Sequence, residues 1–115
     1  MKSVLFGFKQ SIACDYNLGF DELILAKWFY LMTLRNDSDS LVINNSLYYC
    51  VSYAEILEEF PILNCNTRSV ANKFKKLEDA KVLNRKTVRT GGTFSYFSLG
   101  ENFSKIFEEI GRAHV

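Results

Sequence analysis

A chain of 115 residues, 48% of them hydrophobic, is long enough for one domain with an ordinary core and too apolar to be a disordered tail. No apolar run approaches the roughly 18 residues needed to span a bilayer, and the start MKSVLFGFKQ lacks the apolar core and cleavage site of a signal peptide. Fourteen basic residues nearly cancel thirteen acidic ones, so the total charge of +1 says nothing about a polyanionic partner.

Residues 1–17 begin with Val4, Leu5, Phe6 and Phe8, too apolar for a free tail, and are expected to pack on the domain or on a neighbouring copy. Asn17-Leu18-Gly19 is a break, and Asp21 sits where a helix N-cap would be. Residues 21–35 read as a helix that is apolar nearly all round, with Glu22, Lys27 and Thr33 its few polar positions. Such a helix must be buried on most sides, and a second chain could cover part of it. Self-association as a homodimer or higher oligomer, through this helix and the amino-terminal segment, is therefore expected. The alternative is that a terminal helix covers the same surface within one chain.

A polar loop at residues 36–40 leads into Leu41-Val42-Ile43, then Asn44-Asn45-Ser46, then residues 47–51, the pattern of a short hairpin. Ser52-Tyr53-Ala54-Glu55 has the spacing of a capping box, and the helix it starts ends by Phe60 because Pro61 disfavours helix in the residue before it. A short turn, 61–66, separates that helix from the next one, as in a helix-turn-helix.

The rest of the chain is organised around residues 64–99. Asn66 can cap a helix over residues 67–80. At about 100° per residue Val70, Phe74 and Leu77 fall on one side, and Arg68, Asn72, Lys75 and Lys76 fall roughly opposite, with Ser69 and Lys73 on the flank. The period then turns strand-like across 82–99, interrupted by Gly91-Gly92, which reads as a hairpin with a two-residue type I′ turn. Between Asn64 and Thr90 stand eight basic residues and two acidic ones, a net +6, which leaves −5 for the remainder. A segregated positive face is what a phosphate backbone requires, although a solvated helix face would look the same on the helix alone. A basic helix running into a basic hairpin predicts an α+β winged helix in one domain, 1–115, binding double-stranded DNA. After Gly100, residues 102–110 read as a terminal helix with Phe103, Ile106, Phe107 and Ile110 on one face.

Enzyme chemistry finds no foothold: there is no phosphate-binding glycine loop, no HExxH and no GxSxG. Cys14, Cys50 and Cys65 are widely spaced and odd in number, which predicts free thiols in a reducing cytoplasm. The one histidine, His114, stands at the chain end, so neither a metal nor a cofactor is expected.

Six short stretches bear a further likeness: Phe6-Gly7-Phe8-Lys9-Gln10, Trp28-Phe29, Leu47-Tyr48-Tyr49, Phe60-Pro61-Ile62-Leu63, Phe74-Lys75-Lys76-Leu77 with Val82-Leu83, and Gly91-Gly92-Thr93-Phe94-Ser95-Tyr96. Together, from about Phe6 to Phe103, they resemble the amino-terminal winged-helix domain of phage replisome organiser proteins, a type of replication initiation protein. The resemblance implies origin recognition in phage or plasmid replication. It also implies a longer protein, whose helicase-loading partners would be engaged by a region absent here. The residues expected to face DNA are Asn66, Thr67, Arg68, Ser69, Asn72, Lys73, Lys75 and Lys76 on the helix. On the hairpin they are Arg85, Lys86, Arg89, Gly91 and Gly92. A winged-helix transcriptional regulator, or a winged helix used for protein–protein contact, are the competing readings.

Overall fold

The computed structural model describes residues 4–5, 8–35, 39–89 and 91–107, with side chains from residue 12 onward. Along the chain run strands β1 (Val4–Leu5) and β2 (Phe8–Lys9), helices α1 (Gln10–Asp15) and α2 (Phe20–Arg35), and strands β3 (Ser40–Ile43) and β4 (Ser46–Val51). Helix α3 (Tyr53–Glu59), a 3₁₀ turn (Pro61–Leu63), helix α4 (Thr67–Asp79), strands β5 (Leu83–Arg89) and β6 (Thr93–Leu99) and the single-turn α5 (Phe103–Ile106) complete it. The architecture is α+β. Among the described residues, five helices accompany a four-stranded antiparallel sheet of order β3-β4-β6-β5 and a separate β1-β2 pair.

The helix starts follow local chemistry. Ser52 Oγ accepts from the Glu55 N–H at 3.3 Å, and Asn66 Oδ1 accepts from the Ser69 N–H at 2.9 Å, so each cap satisfies an otherwise unpaired donor. At α2 the sequence reading needs correction. The helix begins at Phe20, and the Gly19 N–H donates to Glu22 Oε1 at 2.6 Å, which puts the cap at Gly19 and Asp21 inside the first turn. The first seventeen residues also contain a helix, α1, that hydrophobic pattern alone did not reveal.

One face of the sheet carries the core. Phe29 of α2 meets Tyr49 and Phe97 edge-on at 6.2 and 6.3 Å, and Phe74 of α4 lies 5.0 Å from Phe97. Tyr53 of α3 packs on Phe74 at 5.6 Å. Such pairs add about 0.5–1.5 kcal/mol each beyond their burial. On the other side of α2, Tyr30 meets Phe103, which stacks on Phe107 at 4.5 Å. Ala13 and Leu18 are buried in this same core. The expected terminal helix is shorter, ending at Ile106. Its remainder, with Glu108, Glu109, Ile110 and His114, lies outside the described residues, as do Phe6 and Thr90 and the side chains of Leu5 and Phe8.

Two turns exchange their expected character. Asn44 and Asn45, both at positive φ (51° and 65°), make the two-residue connection of β3 and β4, since Ile43 pairs with Ser46. Between β5 and β6 the register pairs Arg89 with Thr93, so residues 90–92 connect the strands, three and not two. Gly91, at φ +70°, supplies the left-handed position.

The end of α4 is bolted to the end of β6. Lys81 takes a left-handed φ of 61°, and the Val82 N–H donates to the Leu77 carbonyl while the Lys81 N–H donates to that of Glu78. From the other side, the Gly100 N–H donates to the Val82 carbonyl at 2.8 Å and the Asn102 N–H to that of Lys81 at 2.9 Å. Asn102 Nδ2 closes the knot on the Ala80 carbonyl at 2.8 Å. A Cβ on Gly100 would stand 2.2 Å from the Lys81 oxygen, so only glycine lets the two backbones approach.

Candidate nucleic-acid interface

Helix α4 buries Val70, Phe74 and Leu77. The helical period therefore turns Arg68, Asn72, Lys75 and Lys76 outward, and all four are exposed, as is Thr67. Asn66 and Ser69 are occupied differently: the side chain of one and the N–H of the other form the cap, so their first task is to start the helix.

Several cations already have partners. Lys73 reaches Asp21 at the start of α2 at 3.7 Å, and Arg85 on β5 meets Glu78 on α4 at 3.4 Å. Lys75 stands 4.0 Å from Asp79 one turn along the helix, and Lys81 stands 3.8 Å from Glu101. The Lys75 and Lys81 pairs are well exposed, hold little energy and can be exchanged for phosphate. Arg68, Lys76, Lys86 and Arg89 make no ion pair among the described residues.

Strand register decides which of these cations act together. Arg85 pairs across to Phe97 and Arg89 to Thr93, so both project from the face that α4 covers. Lys86 pairs across to Tyr96, which pairs with Cys50, and projects from the opposite face. The structure thus groups Arg68, Asn72, Lys75, Lys76 and Arg89 on the side of α4 and sets Lys86 apart. Pairing of β4 with β6 reaches only Ser95, so the end of the β5–β6 hairpin projects past its neighbour, with Gly91 and Gly92 exposed. Phe94, 44% exposed near that end, stands on the same face as Lys86, away from α4.

The flank beside this hairpin has the opposite polarity. A cleft of about 580 Å³ is lined by Asp39, Cys50, Ser52, Tyr53, Glu55 and Phe94 among others. Burial first, then the nearby Asp39 and Glu55 carboxylates, push the Cys50 thiol above its usual pKa. The same two carboxylates repel phosphate, so a polyanion would approach from the α4 side. Cys14, Cys50 and Cys65 are free thiols. No helix among the described residues is long and apolar enough to cross a membrane.

Comparison of the chain with protein families, with curated proteins and with solved structures finds no match.

Proposed function

We propose that this chain is a winged-helix domain that binds double-stranded DNA, with α3 and α4 as its helix-turn-helix and the β5–β6 hairpin as its wing. The observation that carries the reading is the set of cations on one side of the molecule that make no ion pair among the described residues: Arg68 and Lys76 on α4, and Arg89 on the hairpin. Asn72 between them offers the amide that suits adenine, and Arg68 the two-pronged donor that suits guanine. Lys76 and Arg89 fit phosphates, where a charge suffices. Three uncommitted cations, plus the exchangeable Lys75, predict a log–log salt slope of roughly −3.6 for duplex binding.

The test is a titration against duplex DNA at several salt concentrations. A variant with Arg68, Lys73, Lys76 and Arg89 neutralised together should stay folded and lose most of its affinity and its salt dependence. If it folds and binds as the parent does, this face is not the DNA surface.

Within that reading, the resemblance to replisome organiser proteins favours origin recognition over transcriptional regulation. Footprinting on the replicon's own origin, against promoter DNA of equal length, separates the two. One observation favours a protein-binding role beside it: Ile24, Leu31 and Leu34 form an exposed stripe on α2, next to a groove of about 600 Å³ shared with Trp28, Glu59 and Phe60.

A further inference from the structure

Among the described residues the sheet has two open edges, β5 and β3, and they are guarded very differently. Strand β5 carries Arg85, Lys86 and Arg89, the charges by which natural edges resist pairing with another chain. Strand β3, Ser-Leu-Val-Ile, has no charge, no proline and no bulge, and it exposes an apolar side chain on each face, while Ile43 is half-buried. Val42 is 71% exposed, with Leu47 at 44% beside it on one face, and Leu41 is 39% exposed on the other.

The backbone is open as well. The Asp39 carbonyl accepts from the Cys50 N–H at 2.9 Å, and an antiparallel ladder alternates, so Leu41 and Ile43 bond to β4. Ser40 and Val42 therefore turn their N–H and C=O groups to the free edge.

From this we infer that a second copy of the chain pairs along β3, antiparallel about a two-fold axis through Leu41, to make an eight-stranded sheet. A two-fold axis normal to the sheet keeps each face on its own side, so it must pass through a residue and not between two. Centred on Leu41, it lets Ser40 and Val42 exchange both backbone hydrogen bonds with the partner's Val42 and Ser40, four bonds in all. Centred on Val42, it yields only two, because the next pair would fall on Asn44, which the turn holds at φ 51°. In the favoured register Leu41 meets the partner's Leu41 on one face. On the other, Val42 and Leu47 of each copy line a shared apolar strip across Ser40. Four residues make a short seam, so the dimer is weak and reversible.

Sedimentation over a concentration series, without DNA, tests the dimer apart from the DNA reading. The parent should shift from monomer to dimer within the micromolar range. Val42→Lys should abolish the shift while leaving the circular dichroism and melting curve unchanged, since the side chain is in solvent. Val42→Pro should do the same, because the N–H it removes bonds nothing within the chain. Leu34→Lys on α2 should leave the dimer intact. In a background with Cys14, Cys50 and Cys65 changed to serine, Leu41→Cys should crosslink under mild oxidation. The Cα atoms there would lie about 4.5 Å apart. Val42→Cys should crosslink about tenfold more slowly. A parent that stays monomeric overturns the inference. So does a dimer that survives Val42→Lys and Val42→Pro, or one that Leu34→Lys removes.

Discussion

Two hairpins of nearly the same construction bracket this sheet. The β3–β4 and β5–β6 hairpins are both antiparallel and both lie at an edge, but β5 carries three cations where β3 carries none. The first turns on Asn44-Asn45 and stands at an open edge; the second turns through Gly91-Gly92 and is fixed at its base to the end of α4. The same backbone hydrogen bonds build both, so what each hairpin can meet is decided by side-chain charge and by what its base is fastened to. A cationic hairpin tied to a basic helix suits a polyanion. An uncharged one with its edge open suits another strand.

The largest way to break this contrast is to loosen the base of the second hairpin. Gly100→Ala would place a methyl group where the Lys81 carbonyl stands, and the backbones would have to separate. The expected cost is roughly 3 kcal/mol, read as a lower midpoint in denaturant unfolding, with DNA affinity lost in parallel. The β3 edge lies on the far side of the sheet from this joint. A Gly100→Ala protein with the stability of the parent would show that the close approach is not needed.

Removing single charges sharpens the contrast. Arg68→Ala or Asn72→Ala should cost roughly 1–3 kcal/mol on a cognate site and much less on random duplex. Arg89→Ala or Lys76→Ala should weaken binding to all sequences and flatten the salt slope by about one each. Lys86→Ala, on the face away from α4, should change the slope far less; equal effects at Lys86 and Arg89 would mean that both faces of the hairpin touch DNA.

The smallest effect concerns Lys81, whose left-handed φ of 61° is costly for a side chain with a Cβ, unlike the asparagines of the other hairpin. Lys81→Gly should stabilise the domain by about 1 kcal/mol, visible as a higher melting temperature in calorimetry. An unchanged or lower melting temperature would indicate that the pair with Glu101 contributes more than its exposure suggests.

By itself the sequence determined what depends on neighbours a few residues away. The caps at Ser52 and Asn66, the stop at Pro61 and the side of α4 that is buried all follow from spacing within one or two turns. Both hairpins of the main sheet were legible from their turn residues, and so was the basic segment from 64 to 90. Tertiary structure alone decided the rest, because it depends on which distant residues meet. Alternation along the strand already sets Lys86 opposite Arg85 and Arg89. Only the register could decide which of the two sets shares the face that α4 covers, since a shift of one residue reverses every side chain of a strand. Only the fold could engage Lys73 with Asp21 and Arg85 with Glu78, and so separate these cations from those that make no ion pair among the described residues. Gly100 looked like a simple strand break, yet its role is the contact with Lys81, nineteen positions earlier. The open β3 edge likewise has no local signature, because an edge exists only once the sheet has an order.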